Sequence, residues 1–130
     1  MFSVYIWIDG DKFDADGFQR GLDSNLSGTV HTSKRIVNGR AESSNKSWKS
    51  EIKKSITDKP EEELFKLVMR YKNEIIRAKT KGANRIFGEI VAEYKSTNNI
   101  SGFYLSDNFV RLLAELEMSI DIDVVPKLRG

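Results

Sequence analysis

Two groups of carboxylates have spacings that could do chemistry. The first opens the chain. Asp9, Asp11, Asp14 and Asp16 lie in the stretch IDGDKFDADG, with Gly10 and Gly17 each following an aspartate. Setting Gly17 on the invariant glycine of a helix-loop-helix calcium loop places Lys12, Asp14 and Asp16 at the first three ligand positions and Asp23 at the last. A lysine then stands where a carboxylate must be. The aspartates are therefore read as capping and solvating a strand-turn-helix junction, with no calcium expected there. The second group is Glu89 and Glu93 in one segment and Asp121 and Asp123 in another. If the two segments are neighbouring strands, these side chains share a face. Paired carboxylates on such a face can act as acid and base. The same pattern arises wherever a sheet shows one face to water. No cleft and no second role-player is visible in the sequence, so a catalytic role is not expected.

Other chemistries are excluded more directly. The 130 residues contain no cysteine and a single histidine, His31. That removes disulfides, thiolate zinc sites and a cysteine nucleophile, and it leaves little for base catalysis near neutral pH. The glycines are not spaced as a phosphate-binding loop. No metal or cofactor is expected. The net charge of +2 hides an asymmetry: residues 34–81 hold fourteen Lys/Arg against seven Asp/Glu, while the N-terminal turn and the last two elements are acidic. A basic segment of this kind can bind nucleic acid, although no recognised motif accompanies it. Its simpler role is a solvated face. No stretch approaches the ~20 apolar residues that span a bilayer, and the N-terminus lacks the basic region of a signal peptide. A cytosolic protein without membrane contact is expected.

The elements that must position these residues follow from periodicity. Phe2, Val4, Ile6 and Ile8 alternate with Ser3, Tyr5, Trp7 and Asp9, which predicts a strand. Its second face carries Tyr5 and Trp7, so that face is partly covered or is a contact surface. Asp14 suits the N-cap of a short helix with Phe18 and Leu22 inward. Asn38-Gly39 predicts a hairpin turn between strands Thr29–Val37 and Ala41–Ile52. The serine-rich second half reads equally as a mobile loop anchored by Trp48. Leu64, Val68, Tyr71, Ile75 and Ala78 predict a long helix, widened by Leu67 and Ile76, opened by an Asp58/Glu61 capping box around Pro60 and closed at Gly82. RIFGEIVAEY predicts a strand with Ile86, Ile90 and Tyr94 on one side and Phe87, Glu89, Val91 and Glu93 on the other. A turn is expected in residues 96–102. Ser106 caps a second helix with Phe109, Val110, Leu112, Leu113 and Leu116 inward. SIDIDVV predicts a strand with Ile120, Ile122 and Val124 in the core. The order β-α-β-β-α-β-α-β implies one α+β domain over residues 1–130, with an antiparallel or mixed sheet of about five strands and two to three helices.

Taken together, Gly10-Asp11, Phe13-Asp14, the short helix reaching Leu22, the lone Trp48, Ile90–Tyr94, Leu105-Ser106, Leu112-Leu113-Ala114 and Ile120-Asp121-Ile122-Asp123 have a family's order and spacing. The chain resembles the bacterial family named domain of unknown function 4279 over nearly its whole length. It departs from that pattern where Asp23 follows Leu22 and where no proline precedes Pro60. The resemblance implies a compact, cytosolic α+β domain and no reaction. Small families of this type often accompany secreted bacterial toxins as immunity proteins. The expected function is therefore non-catalytic protein binding, sharpest as neutralisation of a cognate toxin domain. Nucleic-acid binding through residues 34–81 and an enzyme using the Asp/Glu sheet face are the alternatives. The candidate binding residues are Tyr5, Trp7, Trp48, Glu89, Glu93, Asp121 and Asp123. Of the aromatics Tyr5, Trp7, Trp48, Phe103 and Tyr104, two or three are expected to be buried.

Overall fold

The computed structural model describes residues 1–37, 39–55, 58–94 and 102–126. Its elements are β1 (Phe2–Asp9), α1 (Ala15–Arg20), β2 (Gly28–Val37), β3 (Arg40–Ser50), β4 (Lys53–Ser55), α2 (Pro60–Thr80), β5 (Arg85–Tyr94), α3 (Asp107–Leu116) and β6 (Ser119–Pro126). Among the described residues the fold is α+β, with six strands in one mixed sheet and three helices. The addition to the expected order is the short β4.

The sheet runs β2-β3-β1-β5-β6, and β4 also pairs with β1. β1 is antiparallel to β3, β4 and β5, whereas β5 and β6 are parallel, joined through α3. β3 and β4 share one edge of β1 in succession. Between them, Ser50 accepts the Ile6 amide on its hydroxyl at 2.8 Å and donates to the Glu51 carbonyl at 3.0 Å. A side chain thus replaces the missing ladder partner of a buried N–H, which would otherwise be left unpaired.

Period two on the strands and period 3.6 on the helices converge on one core. Val4, Ile6 and Ile8 of β1 and Ile86 and Ile90 of β5 meet Leu64, Val68, Tyr71 and Ile75 of α2. Phe18, Phe109, Leu112, Leu113 and Leu116 complete it from α1 and α3. Gly88 brings α2 close: a Cβ there would lie 2.8 Å from a Leu64 methyl. Asp14 caps α1 by accepting from the Gly17 amide, and Ser106 caps α3 by accepting from the Phe109 amide. Gly82 follows α2 at φ 92°, with its Cβ position 2.2 Å from the Lys12 carbonyl oxygen, so only glycine fits the turn that seats the aspartate-rich loop.

Several expectations are corrected. The serine-rich segment is the second strand of a β2-β3 hairpin and not a loop; it ends at Ser50, and Ile52 is exposed. α2 starts at Pro60 with Lys59 at the cap and no side-chain capping bond, so the Asp58/Glu61 box does not form. Ile76 and Val110 are exposed, because each falls outside the stripe that its helix turns toward the core. Ile122 and Val124 are 40% and 46% exposed. Their register beside Ile90 and Ala92 puts them on the helix side of the sheet, but β6 is an edge strand, and of Ile120, Ile122 and Val124 only Ile120 packs against the core. Asn38, the turn at residues 96–101 and the side chain of Tyr94 lie outside the described residues.

Candidate functional site

The helices pack on one side of the sheet. On the other side, the residues between the core positions form a broad face. β1 contributes Ser3, Tyr5, Trp7 and Asp9; β5 contributes Arg85, Phe87, Glu89, Val91 and Glu93; β6 contributes Asp121 and Asp123. The register aligns them in rows. Trp7 faces Phe87 across the ladder with ring centroids 6.4 Å apart, and the His31 ring lies 5.6 Å from Trp7 on the other side. Tyr5 is paired with Glu89, and Glu89 with Asp121. The Lys49 ammonium sits 4.3 Å above the Tyr5 ring. Beyond Trp7, a depression of about 350 Å³ is lined by Trp7, Asp9, Asp11, Lys46, Asn84 and Arg85.

Glu89 stands out. It is 2% exposed, and its Oε1 is buried with no hydrogen-bond partner. One oxygen from each of Glu89, Asp121 and Asp123 lies within 4.8 Å of the other two. No lysine or arginine among the described residues comes within 4.0 Å of any of the three. Burial, then hydrogen bonding with Asp121 and the charges of Asp121 and Asp123, push the Glu89 carboxyl up to about 8. Burial and the two neighbouring aspartates thus favour its protonated form. Burial, followed by the same three carboxylates, also raises Tyr5 above the ordinary phenol value.

Six of the seven candidate residues come together on this face: Tyr5, Trp7, Glu89, Glu93, Asp121 and Asp123. Trp48 does not. Its indole is 0% exposed, packs edge-on to Phe18 with centroids 5.0 Å apart, and donates to Gln19. It points to the helices because it is paired with Ile8, one step out of phase with Trp7. Among the five aromatics named above, only Trp48 is buried; Tyr104 is 76% exposed. Phe87, Lys49 and His31 belong to the face but were not among the candidates. For Phe87 the signal was present, since it alternates in phase with Glu89.

The first acidic group is resolved differently. Asp14 caps α1, Asp16 pairs with Lys46, and Asp9 accepts from the Trp7 indole N–H at 2.8 Å and holds Arg85 through both oxygens. That hydrogen bonding raises the Arg85 guanidinium further above its already high value. These aspartates are occupied in structure. Much of the described part of the basic region is likewise paired: Lys46, Lys53, Lys59, Lys66, Arg70, Lys72, Arg77 and Lys79 each face a carboxylate within 4.0 Å, while the side chains of Lys34, Arg35 and Arg40 lie outside the described residues.

Fold and face together define an α+β domain whose described helices all lie on one side of the sheet, with a second sheet face of mixed aromatic and acidic character. The chain belongs to the family described as Domain of unknown function (DUF4279), whose model matches residues 1–127. No curated protein and no solved structure gives a significant match. No helix among the described residues is long and apolar enough to cross a membrane.

Proposed function

We propose that this chain is a non-catalytic binding protein that docks a basic protein surface on its second sheet face, in the sharpest form a bacterial immunity protein that neutralises a cognate toxin from the cytoplasm. The observation that carries this reading is the row of half-buried aromatics, Trp7, Tyr5 and Phe87, set beside exposed Asp121 and Asp123 on paired strands. Aromatic anchors supply affinity at interface centres, and flanking charge steers association. Strands hold these side chains in place before binding, which limits the ordering cost. A nuclease toxin is basic where it grips phosphate, so it complements an acidic face. The extensive pairing of Lys and Arg in residues 46–79 leaves the nucleic-acid reading with less support.

A second reading has one observation in its favour. Glu89 is buried close to Asp121 and Asp123, which raises its carboxyl and suits it to proton donation. It requires a substrate to reach Glu89 past Asp121 and Asp123.

The test of the binding reading is co-expression of a toxin domain encoded beside this chain, with growth and complex formation on a sizing column as readouts. Growth rescue and a stable complex are expected, both weakened by Trp7→Ala and by Asp121→Lys with Asp123→Lys. Absence of rescue and of a complex removes the immunity reading for that pair. Rescue that survives the lysine variant moves the contact to another surface.

A further inference from the structure

We propose that Glu89, Asp121 and Asp123 form a binding site for a hard divalent cation, of the magnesium, manganese or calcium class. Three observations meet there. One carboxylate oxygen from each residue lies within 4.8 Å of the other two. Ions of this class bind oxygen at roughly 2.0–2.6 Å, so two oxygens on opposite sides of one ion are about 4–5 Å apart. The three side chains thus span one coordination sphere. The second observation is Glu89 Oε1, a buried acceptor with no donor. Unsatisfied buried acceptors are costly, and neither Asp121 nor Asp123 can donate to it while ionised. The third is the register. Asp121 lies directly beside Glu89 on the parallel neighbour, and Asp123 follows two residues along the same face. Three carboxyl groups at this spacing cannot all ionise without a counter-charge. No lysine or arginine among the described residues offsets them at ion-pair distance. A divalent cation supplies the missing charge and gives the buried Glu89 carboxyl a partner.

The ligand set fixes the class. All three donors are carboxylate oxygens, and the chain has no cysteine. Oxygen-only sites select magnesium, calcium and manganese over the softer metals. Asp121 and Asp123 are exposed, so water completes the sphere on the outer side. The aspartate-rich loop is a separate matter, because Asp9, Asp14 and Asp16 already have protein partners. The site is read on the isolated chain, and it uses the same Asp121 and Asp123 that the docking reading assigns to a basic partner, so an occupied site lowers the negative charge that partner meets.

The experiment is calorimetric titration of the metal-free full chain with MgCl2, MnCl2 and CaCl2, together with Mn2+ broadening of backbone amide resonances. One saturable site is expected for at least one of the three ions. Broadening should centre on residues 88–90 and 120–124. Asp121→Asn with Asp123→Asn should weaken binding at least about tenfold, since affinity at such sites follows ligand charge. Both aspartates are exposed, so this variant keeps the fold, and Glu89→Gln provides a second one with unchanged shape. No saturable binding of any of the three ions up to about 10 mM, beyond the weakest range of oxygen-ligated modules, overturns the proposal. Binding that persists in both triad variants, or that is lost in Asp14→Asn instead, overturns it as well.

Discussion

Glu89 and Trp48 show how far a residue's neighbours redefine it. Glu89 alternates with apolar residues as any solvated strand glutamate does, yet it is buried and its carboxyl is pushed up to about 8. The folded state therefore holds a proton that the unfolded chain releases near the ordinary value of 4.5. The resulting stabilisation is fully present below that value and is lost as pH rises through about 8. In metal-free buffer, the stability of the parent relative to Glu89→Gln should fall across this window. The slope is at most about 1.4 kcal/mol per pH unit, the limit for one proton. Urea unfolding of both proteins at intervals between the two values measures the difference; a parallel pair of curves contradicts it. Trp48 makes the opposite move, from candidate contact to core. Gly28 packs so closely on its indole that a Cβ there would lie 2.1 Å from the ring. Trp48→Ala should cost about 3–5 kcal/mol in chemical denaturation, in line with other large aromatic truncations.

At the scale of elements, the contrast between β5 and β6 is the useful one. Ile90 and Ile122 are neighbours on the same side of the sheet, but Ile90 is 0% exposed and Ile122 is 40% exposed. Ile90→Ala should cost about 2–5 kcal/mol, as a core truncation. Ile122→Ala should cost below about 1.5 kcal/mol, because much of the side chain already meets water. Equal losses for the two would mean that β6 is covered in solution. The α2-β5 turn offers a second check. Gly82→Ala forces a side chain into φ 92° and against the Lys12 carbonyl. A loss of at least about 1 kcal/mol in thermal or urea unfolding is expected.

The whole molecule is a sheet with two unlike sides. One is closed by α1, α2 and α3; the other presents aromatic and acidic side chains. Binding at that face should depend on ionic strength if Asp121 and Asp123 steer the partner. Raising salt should slow association with a basic partner more than it speeds dissociation, and the lysine variant, which reverses the charge, should abolish or invert that dependence. Association rates measured by surface plasmon resonance at several salt concentrations decide this. A salt-independent rate would leave the aromatics as contacts and discard steering by the aspartates.

Local periodicity alone specified much of the architecture. The apolar alternation of β1 and β5, the stripe on α2 and the caps at Asp14 and Ser106 are short-range features, set by where successive side chains point, and they stand as expected. The shared face of Glu89, Asp121 and Asp123 was legible for the same reason, once β5 and β6 are neighbours. What pairs with what is not a local property. The edge position of β6 exposes Ile122, the pairing of Trp48 with Ile8 turns the indole inward, and Ser50 splits the second strand by serving the Ile6 amide. Glu89 lost its water in the same way. Its burial and its close approach to two aspartates arise from residues more than thirty positions away, brought alongside by strand pairing. Desolvation and charge depend on that three-dimensional neighbourhood, so only the tertiary structure could turn an ordinary strand glutamate into the centre of a site.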